Sequence, residues 1–184
     1  MSNISQDERI EILSQEELEK TLSRLSSQIL ENVSDSSQIL LLGIPTRGIQ
    51  LANVLANELE IRTGHPIDQG VIDPTFHRDD LERLGTRISP STDIPSSLEG
   101  RQVVLVDDVI FTGRTVRAAI ESLQAWGRPK KVMLLVMVDR GHRELPIQPD
   151  FCGRKVPTSN TETIQLRLMD LDGEEGVYLS KHSN

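Results

Sequence analysis

The chain contains a single cysteine, Cys152, among 184 residues. That excludes an internal disulfide and a zinc site built on several thiolates. Aromatic residues are almost as scarce, at 3%, so a core has to be assembled mainly from Leu, Ile and Val. Long apolar runs are missing too. The longest, Val132 to Val138, falls far short of the roughly 20 residues that span a bilayer. Met1 to Glu8 carry neither a basic flank nor an apolar stretch, so no secretory signal is expected and the cytoplasm is the default location. Cationic charge is also short. Lys and Arg number 20 against 28 Asp and Glu, a net charge of −8. This balance disfavours indiscriminate binding to nucleic acid, where neutralising phosphates supplies most of the affinity. The deficit is uneven. The first 35 residues hold eight acids against Arg9, Lys20 and Arg24, whereas Arg140 to Lys155 is locally basic.

What is present reads as one globular domain. Apolar residues reach 36% and charged residues 26%, which separates the chain from disordered sequences. At this length a fold buries roughly 70% of the surface that the unfolded chain exposes. Ser14-Gln15-Glu16-Glu17 has the spacing of a capping box, and Leu18, Leu22, Leu25, Ile29 and Leu30 follow at helical intervals. This predicts a helix over 15–33. Ile39 to Ile44 is a continuous apolar run of strand length, as expected where both faces of a parallel sheet are covered. Pro45-Thr46-Arg47-Gly48 is a turn, and Ile49 to Leu59 recurs as a helix. A strand is expected over 67–76, then a long loop, a second apolar strand over 102–109, a helix over 115–126 and a third strand over 132–138. Two further strands are expected near 164–169 and 177–179. Alternating strands and helices predict an α/β fold with a mostly parallel central sheet flanked by helices.

Chemistry concentrates where the second apolar strand ends. Val103 to Val106 lead into Asp107-Asp108-Val109-Ile110, then Phe111-Thr112-Gly113-Arg114-Thr115, and a helix begins at once. Ligands of open α/β sheets bind beyond the carboxyl ends of strands. A helix N-terminus beside a glycine offers free backbone N–H groups and partial positive charge, which suits a phosphate. Thr112 and Thr115 add hydroxyls. Two adjacent carboxylates can accept hydrogen bonds from vicinal hydroxyls or hold magnesium through water. Each feature alone is ordinary, since many strands end in acids and many helices are capped by Thr. Their conjunction points to a sugar phosphate. The loop is neither a Walker loop, lacking Gly-Lys-Ser/Thr, nor a dinucleotide fingerprint.

These residues resemble the signature of the type I phosphoribosyltransferases, two acids followed by a Thr-Gly-x-Thr phosphate loop. Further segments narrow the match: Thr46-Arg47-Gly48, Thr75 to Leu81, Gly113 to Ala119, Val138-Asp139-Arg140-Gly141-His142-Arg143-Glu144-Leu145-Pro146-Ile147, and Val156 to Ser159. Together they resemble the PyrR family of pyrimidine attenuation regulators and uracil phosphoribosyltransferases, from about Ile12 to Leu168.

The resemblance implies a phosphoribosyltransferase fold over 1–184, with a mobile loop over 78–98 and a small hood from 139–160. It implies that Asp107 and Asp108 hold the ribose of phosphoribosyl pyrophosphate and, indirectly, a magnesium ion. Val104, Leu105, Val106, Val109, Ile110, Phe111, Thr112, Gly113, Arg114, Thr115 and Val116 complete the phosphate segment. Thr46, Arg47 and Gly48 face the pyrophosphate, in a turn that in this family often contains a strained or cis peptide, and Arg78 closes over it. Val138, Asp139 and Arg140 recognise uracil. The reaction is uracil plus phosphoribosyl pyrophosphate giving UMP and diphosphate, through a transition state with positive charge at the anomeric carbon. Loop closure excludes water.

The resemblance also implies UMP-dependent binding of the leader of pyrimidine-gene mRNA, on a face carrying Arg24, His142, Arg143, Arg154 and Thr158. Here the chain departs from the pattern. Ser27 and Asn32 stand where RNA-binding members usually have His or Arg, and Gln148 stands where they have Arg. Each missing phosphate contact weakens binding and flattens its salt dependence. Two alternatives stay open: a uracil phosphoribosyltransferase that has lost RNA binding, and an enzyme for another base. Homodimers or larger assemblies are implied as well. His65 and Cys152 are expected to do no chemistry, and Trp126 to pack.

Overall fold

The computed structural model describes residues 9–75 and 91–181. Arg78 and most of the loop expected over 78–98 lie outside the described residues. Five strands form the main sheet: β2 (Ile39–Gly43), β3 (Asp68–Val71), β4 (Gln102–Ile110), β5 (Lys131–Asp139) and β6 (Phe151–Lys155). Their order is β3-β2-β4-β5-β6. Every pairing is parallel, with Leu41 opposite Val104 and Val106 opposite Leu135.

Both faces of this sheet are covered, and strand alternation decides which residue goes where. Ile39, Leu41, Val104, Val106, Met133, Leu135 and Met137 face one core. Leu40, Leu42, Val103, Leu105, Leu134 and Val136 face the other. The first core is closed by helices α1 (Gln15–Asn32) and α2 (Arg47–Thr63), the second by α3 (Arg114–Gln124). The capping box forms as expected, with the Glu17 amide donating to Ser14 Oγ and the Ser14 amide to Glu17 Oε2. Leu18, Leu25 and Ile29 are fully buried beneath it. Burying each side chain of that size contributes about 1.5–3 kcal/mol. On α3 the buried stripe is Val116, Ala118, Ala119, Ser122 and Leu123, while Ile120 turns outward. Trp126, expected to pack, is 49% exposed.

A second, three-stranded antiparallel sheet has the order β1-β8-β7, from β1 (Arg9–Leu13), β7 (Glu162–Arg167) and β8 (Gly176–Lys181). It packs on the first core through Leu13, Ile164, Leu166 and Val177. The short helix α4 (Met169–Asp172) joins β7 to β8. The segment expected as hood, 139–160, is divided differently. Phe151–Lys155 extends the main sheet beside β5, and the small sheet is built from the two ends of the chain. The last part of the expected mobile loop is anchored: Asp93 exchanges both backbone hydrogen bonds with Val71, and Leu98 is buried in the second core.

Candidate active site

Between β2 and β4 the chain reverses its direction of travel across the sheet, and the helices that follow these strands lie on opposite faces. Ligands of open sheets bind in the crevice that such a reversal leaves. Two turns meet there. The turn after β2 presents Thr46, Arg47 and Gly48, and its Pro45–Thr46 peptide is cis, as the resemblance led us to expect. The Ile44 amide bonds the Val106 carbonyl at 2.9 Å. Gly48 fits because a side chain would strike backbone, its Cβ lying 2.3 Å from the Val106 oxygen. That close approach sets the start of α2 against Asp107.

At the end of β4, Asp107 is 7% exposed. The Asp107 carboxylate accepts the Asp108 amide at 2.9 Å, and the Asp108 carboxylate accepts the Val109 amide at 2.8 Å. Each carboxylate is thereby oriented by the backbone that carries it. The loop then turns at Gly113, whose φ of 91° is left-handed and suits glycine. Gly113 caps α3 without a side-chain hydrogen bond, and its carbonyl accepts the Arg117 amide at 3.0 Å to close the first turn. Thr112 Oγ1 takes the Arg114 amide at 3.3 Å, and Arg114 pairs with Glu144 at 2.7 Å. Thr115 lies in the first turn of α3. Val104, Leu105, Val106, Ile110 and Val116 are buried in the two cores, so they can meet a ligand only through backbone, and half-buried Val109 packs beside them.

The run from Asp139 to Ile147 lies across this loop. Amides of Glu144 and Leu145 donate to the Thr112 carbonyl. Arg143 Nη2 pairs with Asp139 at 2.7 Å, Arg143 Nη1 donates to the Phe111 carbonyl and Arg143 Nε to that of Ile147. Arg140 is buried, donating to Thr158 Oγ1 and to the carbonyls of Ser159 and Glu162. Burial pushes its pKa down and the nearby Glu162 pulls it up, with a net lowering. It stays protonated, as arginines in proteins do. Beside it opens a cavity of about 420 Å³ lined by Asp139–His142, Lys155, Pro157 and Thr158. Val138 is fully buried behind Asp139 and faces the first core. His142 adopts φ 59° and its Nε2 bonds the Thr158 carbonyl.

Could these residues hold a metal ion? Among the described residues no three His, Cys, Asp or Glu side chains converge as a ligand cage. Asp107 and Asp108 each already accept one backbone amide. Such a donor set fits a hard cation that brings its own ligands, held through a bound diphosphate and water.

A phosphoribosyl transferase domain matches residues 9–169. The chain is 52% identical over 172 residues to the bifunctional protein PyrR of Gloeothece citriformis, covering 94% of this chain and 97% of that protein. The chain belongs to the PyrR family. It is also 43% identical over 173 residues to the bifunctional protein PyrR of Pelotomaculum thermopropionicum, covering 94% of this chain and 96% of that one. Solved structures share the fold at lower identity. A hypoxanthine-guanine phosphoribosyltransferase of Bacillus anthracis has a TM-score of 0.69 at 18% identity, covering 93% of this chain and 97% of that one. A hypoxanthine phosphoribosyltransferase of Trypanosoma cruzi, solved with IMP, reaches 0.72 at 16%, covering 99% and 98%.

The expected RNA-facing residues of this PyrR relative do not form one free cationic face. Arg24 Nη2 donates to the Gly153 carbonyl at 2.6 Å and Arg154 Nη1 to that of Ile12 at 2.7 Å. Arg143 is spent inside the loop cluster, and His142 and Thr158 edge the cavity. Yet a cation does reach the position of Ser27. Arg62 of α2 donates to Ser27 Oγ at 2.9 Å and to Ser23 Oγ at 2.7 Å. Sequence reasoning also missed Asp172, the partner of Arg47 at 2.8 Å. Nothing in the spacing of the chain connects those two positions. No helix among the described residues is long and apolar enough to cross a membrane.

Proposed function

We propose that this protein transfers the 5-phosphoribosyl group of phosphoribosyl pyrophosphate to uracil, yielding UMP and diphosphate. The bond from the anomeric carbon to the diphosphate oxygen breaks, a bond from that carbon to a uracil nitrogen forms, and the proton of that nitrogen is released to the departing diphosphate or to water. The observation that carries the reading is the junction of β4 and α3: two backbone-oriented carboxylates end one strand, and a helix N-terminus with Thr112 and Thr115 around it begins behind the left-handed Gly113. Thr112, Gly113, Arg114 and Thr115 would bind the 5-phosphate through backbone amides and hydroxyls. Asp107 and Asp108 would accept the ribose hydroxyls. Magnesium, entering with the diphosphate, supplies charge neutralisation to the leaving group. Arg47 and Arg78 would add to it from the protein side, and the cavity beside Asp139 and Arg140 would take the base.

Positive charge grows at the anomeric carbon while negative charge leaves on the diphosphate, so fixed charge and exclusion of water do most of the work. Radiolabelled uracil should become UMP when phosphoribosyl pyrophosphate and magnesium are supplied. Asp108→Asn should reduce that rate by about tenfold or more, the scale of a lost charge-assisted hydrogen bond. Absence of turnover in the wild-type protein would defeat the proposal, as would a preference for hypoxanthine, guanine or orotate.

A second role is favoured by the identity to proteins named bifunctional PyrR. We infer UMP-dependent binding of a pyrimidine-gene mRNA leader, centred on His142, Thr158 and Arg24 and supplemented by Arg62. A leader stem-loop should shift on a gel more strongly with UMP than without it. Equal binding to unrelated RNA would refute this.

A further inference from the structure

Arg47 leads the turn that faces the site, but what holds it is at the other end of the chain. Asp172 Oδ1 accepts Arg47 Nη2 at 2.8 Å and Arg167 Nη1 at 2.8 Å. Its second oxygen accepts the Leu168 amide at 3.0 Å. The carboxylate is only 7% exposed, whereas both arginines are 31% exposed. The network continues outward. Arg167 lies 3.8 Å from Glu174, and Glu174 pairs with Arg9 of β1 at 2.8 Å.

Among the described residues Asp172 is the one hydrogen-bond partner of the Arg47 side chain. Its Nε is buried and has no partner among the described residues. Asp172 engages only Nη2 and the side chain is 31% exposed, so Nη1, which has no hydrogen bond among the described residues, is left for a bound anion.

We propose that Asp172 is a positioning residue for the phosphoribosyl donor, fixing the Arg47 guanidinium so that its Nη1 meets the diphosphate. The inference rests on the reading that the protein binds phosphoribosyl pyrophosphate. Two effects oppose each other when the carboxylate is lost. Arg47 would carry more uncompensated charge toward the diphosphate, which favours binding. Against this, Arg47 and Arg167 now converge on one oxygen, and without its charge they repel each other. A freed arginine must also be ordered again, against its large rotamer entropy, each time the ligand binds. Buried, geometrically fixed charge-assisted bonds outweigh exposed Coulomb attraction, so weaker donor binding is expected.

The test uses the full chain with Asp172→Asn, which keeps the shape and an acceptor oxygen, and Arg167→Met, which removes the competing cation and keeps the acid. Titration calorimetry with phosphoribosyl pyrophosphate and magnesium reads the donor directly, and initial rates read each KM. Asp172→Asn should raise the donor Kd and KM about tenfold and leave the uracil KM within about twofold. Arg167→Met should leave the donor Kd within about threefold. In an Arg47→Met background, Asp172→Asn should add nothing further to the donor Kd. An unchanged or tighter donor Kd in Asp172→Asn would overturn the inference, as would equal rises in both KM values or full additivity with Arg47→Met. If the wild-type protein does not bind phosphoribosyl pyrophosphate at all, it is the underlying functional reading that fails.

Discussion

The guanidinium carbon of Arg140 sits 4.2 Å from the centre of the Phe111 ring. The same ring meets His142 edge-on, with centroids 5.7 Å apart. Phe111 thus joins the loop between β4 and α3 to the segment that lines the cavity. Arg140 is buried but Phe111 is 38% exposed, and a cation over an exposed ring is worth about 0.5–1 kcal/mol. Phe111→Leu keeps the apolar bulk and removes the ring. It should lower the stability of the folded protein by about 0.5–1 kcal/mol in urea unfolding. A Leu variant as stable as wild type would show that the stack contributes nothing.

Arg143 was expected to contact RNA, and its surroundings say otherwise. Its side chain is 13% exposed and neutralises Asp139, itself 9% exposed. Removing one partner of a buried pair costs about 3–5 kcal/mol, because the other charge is left behind. Arg143→Gln should therefore shift the urea midpoint strongly. Arg62→Gln should leave the midpoint within about 1 kcal/mol and lower the salt slope of leader-RNA binding. An unchanged midpoint in Arg143→Gln, with RNA affinity reduced, would return this arginine to the RNA face.

Acid should loosen the anchor of Arg47. Burial pushes the Asp172 carboxyl up, but the Leu168 amide and the guanidiniums of Arg47 and Arg167 together hold it below the usual value of 3.8. A depressed folded-state pKa contributes stability in full above the unfolded value, and the contribution is lost as pH falls through the folded one. The stability gap between wild type and Asp172→Asn should be constant from about pH 8 to pH 5 and close below about pH 4. A gap that closes near neutrality would point to a histidine instead.

Chelation should separate activity from folding. With no protein cage among the described residues, EDTA should abolish UMP formation and leave the melting temperature of the ligand-free protein unchanged. A fall of several degrees on chelation would reveal a structural ion.

The strands that could be read directly were those buried on both faces. Ile39–Gly43, Gln102–Ile110 and Lys131–Asp139 are near-continuous apolar runs, and their bounds fall within one or two residues of expectation. The Asp107–Thr115 junction was legible for the same reason, since its chemistry is local to one strand, one turn and one helix. β1 and β6 were not. Arg9-Ile10-Glu11-Ile12-Leu13 is a charged, largely exposed edge whose structure comes from pairing with β8 at the far end of the chain. Phe151–Lys155 contains Gly153, whose missing side chain reads as a strand breaker. In the structure it is required, because a Cβ there would lie 2.4 Å from the Met137 oxygen. Helix α2 begins at Arg47 rather than Ile49, because its start is set by packing against Val106 and not by a cap. The Asp172–Arg47 pair is wholly tertiary.

The small sheet imposes an order on biosynthesis. Its first strand, Arg9–Leu13, leaves the ribosome before the other described strands, and its partner Gly176–Lys181 leaves after them. At roughly 5–20 residues per second, β1 waits many seconds unpaired while the five parallel strands emerge. Asp172 arrives with that final segment. A nascent chain can therefore hold the β4–α3 junction before it holds the clamp on Arg47, so a C-terminal deletion ending before Asp172 separates the two parts.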